Sequence, residues 1–104
     1  MSLSKYQVKV FPHVNRQLVR HAAFIANVSK PAALRLRNEF AEILKRLKDN
    51  PYQFPPYDDP NLPPDVYRKA LFAKWYKVVF YIEDDSVYVD AIVDGRADWK
   101  RNNE

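Results

Sequence analysis

VYRKALFAKWYKVVFYIEDDSVYVDAIVDGRAD, running from Val66 to Asp98, is dominated by β-branched and aromatic residues. It reads as three antiparallel strands joined by two tight turns. Pairing Phe72 with Trp75 across Ala73-Lys74 sets one ladder, and pairing Ile82 with Val87 across Asp84-Asp85 sets the next. Side chains alternate between faces, and directly opposed residues share a face. One face then gathers Tyr67, Lys69, Leu71, Tyr76, Val78, Phe80, Ile82, Val87, Val89, Ala91 and Val93, nearly all suited to burial. The other gathers Val66, Arg68, Ala70, Phe72, Trp75, Lys77, Val79, Tyr81, Tyr88, Asp90, Ile92 and Asp94. Helices are expected on the first face, and the second is expected to be open to a partner.

Upstream, Tyr6, Val8 and Val10 alternate with Gln7 and Lys9 before Pro12, so Lys5 to Phe11 reads as a first strand stopped by proline. Val14, Leu18, Ala22, Ile25 and Val28 recur at helical spacing, which predicts a helix over 14–28. Ser29 can cap the next helix and Pro31 suits its first turn. Ala33, Leu36, Phe40, Ile43, Leu44 and Leu47 form its apolar stripe, ending near Lys48. So short a turn implies an antiparallel helical hairpin. Asn50 to Asp65 holds six of the eight prolines with Tyr52, Phe54 and Tyr57, and reads as an ordered strap across the body. The expected architecture is a single α+β domain over 1–104, ordered β-α-α-β-β-β, with the α-hairpin packed on one face of an antiparallel sheet.

At 104 residues the chain can bury about two-thirds of the surface that its unfolded form exposes. It has no cysteine, hence no disulfides and no thiolate chemistry, which fits a reducing compartment. No run of eighteen apolar residues occurs and no signal-peptide pattern opens the chain, so a soluble cytoplasmic protein without membrane association is expected. A single glycine, Gly95, excludes glycine-rich phosphate loops. Residues 1–50 carry ten Lys and Arg against three Asp and Glu, whereas residues 51–104 carry seven against ten. The helical half is therefore basic. That fits an anionic partner such as nucleic acid or a ribosome, and it fits equally a well-solvated helix pair.

The order Tyr67-Arg68-Lys69-x-Leu71-Phe72, Trp75-Tyr76-Lys77-Val78-Val79-Phe80, an acidic turn, then Val87-Tyr88-Val89-x-Ala91-Ile92 resembles the RelE/ParE superfamily. Asn50-Pro51, Leu62-Pro63 and the ending Asp94-Gly95-Arg96-Ala97-Asp98-Trp99 add to the resemblance, which spans nearly the whole chain. It implies the toxin of a type II toxin–antitoxin pair, often called a plasmid stabilisation protein. Such a toxin is neutralised by a cognate antitoxin and arrests growth through ribosome-dependent mRNA cleavage or through DNA gyrase, with no cofactor. A second possibility is a non-catalytic module, a degenerate toxin that only binds antitoxin or RNA.

If the chain is a metal-independent mRNA endoribonuclease of RelE type, the resemblance assigns the catalytic cations to Arg68, Lys77 and Arg96. Ala70 stands where a second basic residue is expected, Lys77 replaces an arginine and loses its fork, and Trp99 stands nearest to an expected tyrosine. Members that poison gyrase lack this set, so the departures favour them. Lys69, Trp75, Tyr81, Tyr88, Asp90 and Asp94 are the candidate binding residues, the aromatics by stacking on bases. Ordinary cross-strand salt bridges from Lys77 to Asp90 and Asp94, and from Arg68 to Asp90, are the structural alternative, worth about 0.2–1 kcal/mol each. His13 and His21 read as helix residues remote from the strand face. With no cysteine and no spaced carboxylate–histidine cluster, no metal site is expected.

Overall fold

The structure, a computed structural model, describes residues 5–95. Strand β1 (Gln7–Val10) runs into α1 (Pro12–Ala26) and α2 (Lys30–Asp49). A 3-10 turn (Pro51–Gln53) and the proline-rich strap follow, then β2 (Tyr67–Phe72), β3 (Tyr76–Glu83) and β4 (Ser86–Asp94). The strands form one sheet in the order β1-β4-β3-β2. The β2–β3 and β3–β4 pairs are antiparallel, while β1 lies parallel to β4, from Gln7 against Ser86 to Val10 against Val89. The sheet is therefore mixed instead of wholly antiparallel as expected, because β1 takes the edge opposite β2 and lies parallel to the last strand of the meander.

Each helix boundary has a local cause. Pro12 sits at the start of α1, where its missing N–H costs nothing, so the helix begins two residues before Val14. It ends at Ala26, and Val28 is 88% exposed instead of joining the apolar stripe. Ser29 Oγ accepts from the Ala32 amide at 3.2 Å and caps α2, with Pro31 in the first turn. Arg46 and Lys48 in the last turn complement the carbonyl end. Asn50 Oδ1 then accepts from Tyr52 N at 3.1 Å, starting the 3-10 turn. The α2 stripe holds as expected: Leu36, Phe40, Ile43 and Leu47 are buried against Ala70, Phe72, Val78, Phe80, Val87 and Val89.

Two register differences rearrange the faces of the sheet. Phe72 pairs with Tyr76, not with Trp75, because the turn holds three residues. Ala73 and Lys74 both take positive φ there, at 48° and 71°. A one-residue slip sends every side chain of a strand to the other face. Arg68, Ala70 and Phe72 thus point to the helix side, while Tyr67, Lys69 and Leu71 lie on the open side. Burial explains the choice: Phe72 is 4% exposed and packs its ring 5.8 Å from Phe40, where the alternative register would bury Lys69.

The β3–β4 ladder begins as expected, with Ile82 against Val87 and Phe80 against Val89, and then shifts, placing Ala91 against Val79. Asp90 is the extra residue of a β-bulge. Beyond it Ile92 turns into the core, 4% exposed, and the ladder sets Asp94 against Tyr76 on that same side. Ala91 and Val93 fall on the open face instead of the apolar one.

Further backbone contacts flank the sheet on both sides. The strap runs beside the outer edge of β2, with Tyr57 N donating to Tyr67 O at 2.9 Å and Lys69 N to Pro55 O at 3.1 Å. At the other edge β1 stops at Val10, and the first turns of α1 take over the free ladder groups of β4. There Phe11 N donates to Val89 O at 3.2 Å, His13 Nε2 to the Asp90 carbonyl, and Ile92 N to Gln17 Oε1 at 2.9 Å. Beyond Val10, therefore, β4 offers no template for a further strand, and β1 itself is the edge strand of the sheet.

Candidate functional site

The bulge at Asp90 organises the open face. An extra residue re-aims its own side chain, and the Asp90 carboxylate receives two groups brought from far along the chain. Tyr67 Oη donates to Oδ2 at 3.1 Å from two strands away, and His13 Nε2 lies 3.7 Å from Oδ1 at the start of α1. The His13 and Asp90 side chains are 44% and 32% exposed, so the pair is reachable from solvent. Beside them Tyr81 and Tyr88, opposed across the ladder, stack with centroids 5.0 Å apart and planes 15° apart. Tyr67 meets Tyr81 edge-on at 5.5 Å.

Partial burial raises the Tyr67 phenol above its ordinary value, and its hydrogen bond to Asp90 and that carboxylate's charge add to the effect. Tyr81 is raised in the same direction, again first by desolvation and then by the charges of Asp90 and Glu83. Both remain protonated donors at neutral pH. Cations rim the row: Lys9 Nζ lies 5.3 Å from the Tyr88 ring centroid, and Lys69 and Lys77 lie 5.8 and 5.4 Å from that of Tyr57. Tyr57 belongs to the strap, so the strap completes this face as well as bordering it.

The expected residues divide accordingly. Lys69, Lys77, Tyr81, Tyr88 and Asp90 share the open face. Trp75 belongs to the β2–β3 turn and is 52% exposed, while Asp94 stands across the ladder from Tyr76. Arg68 lies on the helix side: its guanidinium donates to the Phe54 carbonyl at 2.6 Å and stacks 5.1 Å from the Tyr52 ring. The expected Arg68–Asp90 bridge does not form, since the two side chains leave opposite faces. Arg96 lies outside the described residues, as do Asp98 and Trp99.

His13 and Tyr67 are the participants that sequence reasoning missed. His13 follows the proline that ends β1, and only the parallel β1–β4 pairing converts that position into proximity to Asp90. A two-residue turn places Tyr67 on the buried face, whereas the three-residue turn brings it to the open one. Among the described residues no group of three His, Cys, Asp or Glu is placed to hold a metal ion. None of the described helices is long and apolar enough to cross a membrane.

Comparison with known proteins agrees with this architecture. A solved structure titled "Chromosomal ParDE TA system from P. aeruginosa" superposes with a TM-score of 0.71 at 15% identity, covering 88% of this chain and 98% of that one. At that identity the likeness shows the fold alone. No curated protein matches in sequence. A family model described as the ParE toxin of the type II toxin–antitoxin system parDE matches residues 8–99. The chain therefore belongs to the ParE toxin family, within the RelE/ParE superfamily that its strand and turn order resembles.

Proposed function

We propose that this toxin arrests growth by acting on DNA gyrase, and that a cognate antitoxin encoded beside it neutralises it. The observation that carries the choice of target is the position of Arg68. In mRNA-cutting members the cations act together on one face, where they stabilise the charge that grows on the scissile phosphate. Here Arg68 is engaged by Phe54 and Tyr52 on the side away from Lys77. Family membership supports the same direction, because gyrase-directed members lack the ribonuclease set.

One observation favours a second reading, ribosome-dependent mRNA cleavage. His13 Nε2 lies 3.7 Å from the Asp90 carboxylate at a solvent-reachable position, which pairs an imidazole with a carboxylate, the residue types that carry general acid–base roles. The two readings separate in one set of assays with purified toxin, with and without antitoxin. Gyrase inhibition predicts loss of supercoiling and accumulation of cleaved DNA, both reversed by antitoxin, with ribosome-bound mRNA left intact. Intact supercoiling together with cut mRNA would overturn the gyrase reading. In that case His13→Ala should abolish the cutting.

A further inference from the structure

We infer that the centre of the open face, where Glu83 and Asp90 flank the paired Tyr81 and Tyr88, receives the guanidinium groups of a basic polypeptide segment. The inference deepens the gyrase reading, since it names the chemistry of the protein surface that the toxin meets.

Register places the two carboxylates. Tyr81 and Tyr88 oppose each other across β3 and β4. Glu83 stands two residues along β3 from Tyr81, on the same face, and is exposed. Asp90 stands on the other side of the pair along β4, its carboxylate held toward this face by the Tyr67 hydroxyl at 3.1 Å. At the rise of a strand, the two acidic positions are roughly 13 Å apart. Tyr67 takes Asp90 Oδ2, and His13 donates to the Asp90 backbone carbonyl, so among the described residues Oδ1 accepts no hydrogen bond. Glu83 likewise forms no ion pair among them. The lysines of this face lie at its margins: Lys9 on the Tyr88 ring beside β1, Lys69 and Lys77 around Tyr57 of the strap. Desolvation, and after it the charges of Asp90 and Glu83, raise the Tyr81 phenol. The middle of the face is therefore acidic between basic margins.

That zoning selects the occupant. Lys9, 5.3 Å from the Tyr88 ring centroid, already shows the row accepting a positive charge. Arginine suits the site better than lysine, because its planar fork can donate to a carboxylate oxygen and to a neighbouring phenol oxygen at once. Two arginines four residues apart in an extended segment span about 13 Å and reach both carboxylates. A nucleic-acid strand fits poorly, since it needs open ring faces beside a track of cations. Here Tyr88 lies between Lys9 and Tyr81, and Tyr81 between Tyr88 and Tyr67, so the ring faces are taken. A second copy of this chain could offer its basic helices, but that head-to-tail contact does not close on itself.

The test uses the whole chain, isotopically labelled, and three blocked pentapeptides: RGSGR, the same with lysine at both ends, and the same with uncharged citrulline at both ends. RGSGR should bind, shifting the amide signals of Tyr81, Glu83, Tyr88 and Asp90 and weakening as salt is raised. The lysine peptide should bind less tightly and the citrulline peptide not at all. Glu83→Gln and Asp90→Asn should each weaken RGSGR binding at least threefold. Glu83 is exposed and makes no contact with the core, so its variant reads the site even if Asp90→Asn disturbs the fold. Absence of binding by RGSGR at millimolar concentration overturns the inference. So does equal binding by the citrulline peptide, a shift pattern away from these four residues, or tighter binding of hexathymidylate at the same residues. Self-association on concentration that Asp90→Asn abolishes would also overturn it, by making a second copy the occupant. Supercoiling is assayed separately: peptide binding with supercoiling intact would sink the gyrase reading and leave the site standing, and lost supercoiling without peptide binding would do the reverse.

Discussion

The guanidinium of Arg68 donates to the Phe54 carbonyl at 2.6 Å, so a residue expected to face a substrate instead ties the proline-rich strap to β2. A backbone carbonyl in the strap needs a donor, and an arginine one strand away supplies a charge-assisted one. Tyr52 closes over the same guanidinium. The strap in turn places Phe54 in the core, its ring 5.9 Å from that of Phe80, and delivers Tyr57 to the lysines of the opposite face.

Arg68→Ala should therefore act on stability. Loss of a hydrogen bond from a charged group costs about 1.5–3 kcal/mol, and chemical denaturation should register a loss of that order. Growth arrest, normalised to folded protein, should survive. A variant of unchanged stability that no longer arrests growth would return Arg68 to a functional role.

Removing Asp90 outright gives a sharper separation of fold from function. Deletion of the bulged residue leaves Ala91 opposite Val79 and Ile92 opposite Val78, so no core side chain changes face. Stability should fall by roughly 1–3 kcal/mol, through the lost hydrogen bonds to Tyr67 and His13 and not through core packing. Growth arrest should fall sharply, because His13 and Tyr67 lose the carboxylate that gathers them. Folded, fully toxic protein would show that the open face is not the working surface.

The raised tyrosines make an alkaline prediction. Their folded-state values lie above the ordinary value of 10.0. Their contribution to stability is therefore complete below that value and is lost as pH rises through the folded value, because the native state holds protons that the unfolded chain releases. Ultraviolet titration should show Tyr67 and Tyr81 among the tyrosines that ionise late. Asp90→Asn should bring both part of the way back, since burial, the larger cause in each, remains. Unchanged titration in that variant would exclude Asp90 as a contributor.

Gly95→Ala tests the junction at the hairpin tip. A Cβ at this position would come within 2.6 Å of the Trp75 carbonyl oxygen, a backbone atom that cannot swing aside. The substitution should destabilise by roughly 1–3 kcal/mol, measured by denaturant titration. It should also loosen the β2–β3 turn, seen as faster amide exchange at Gly95, whose N–H bonds to that oxygen. A neutral substitution would show that the end of β4 is not held as described.

Local pattern in the sequence determined most of the architecture. Helical spacing of Leu36, Phe40, Ile43 and Leu47, the Ser29 cap with Pro31, alternation in β3 and the acidic turn before β4 each specify an element through contacts a few residues apart. The motif order along the chain was enough to indicate the family. What tertiary structure alone decided lies where a single residue of register changes everything. Alternation cannot count the residues of a turn, so the extra residue between Phe72 and Tyr76 stayed hidden until Phe72 had Phe40 to pack against. Nor does it announce a bulge: Asp90 lies in an unbroken β-like run, and its displacement is settled by Ile92 entering the core and Gln17 meeting the amide of Ile92. The chemistry of the open face follows from those long-range choices. They bring His13 and Asp90, 77 positions apart in the chain, into contact, and they send Arg68 to the other side.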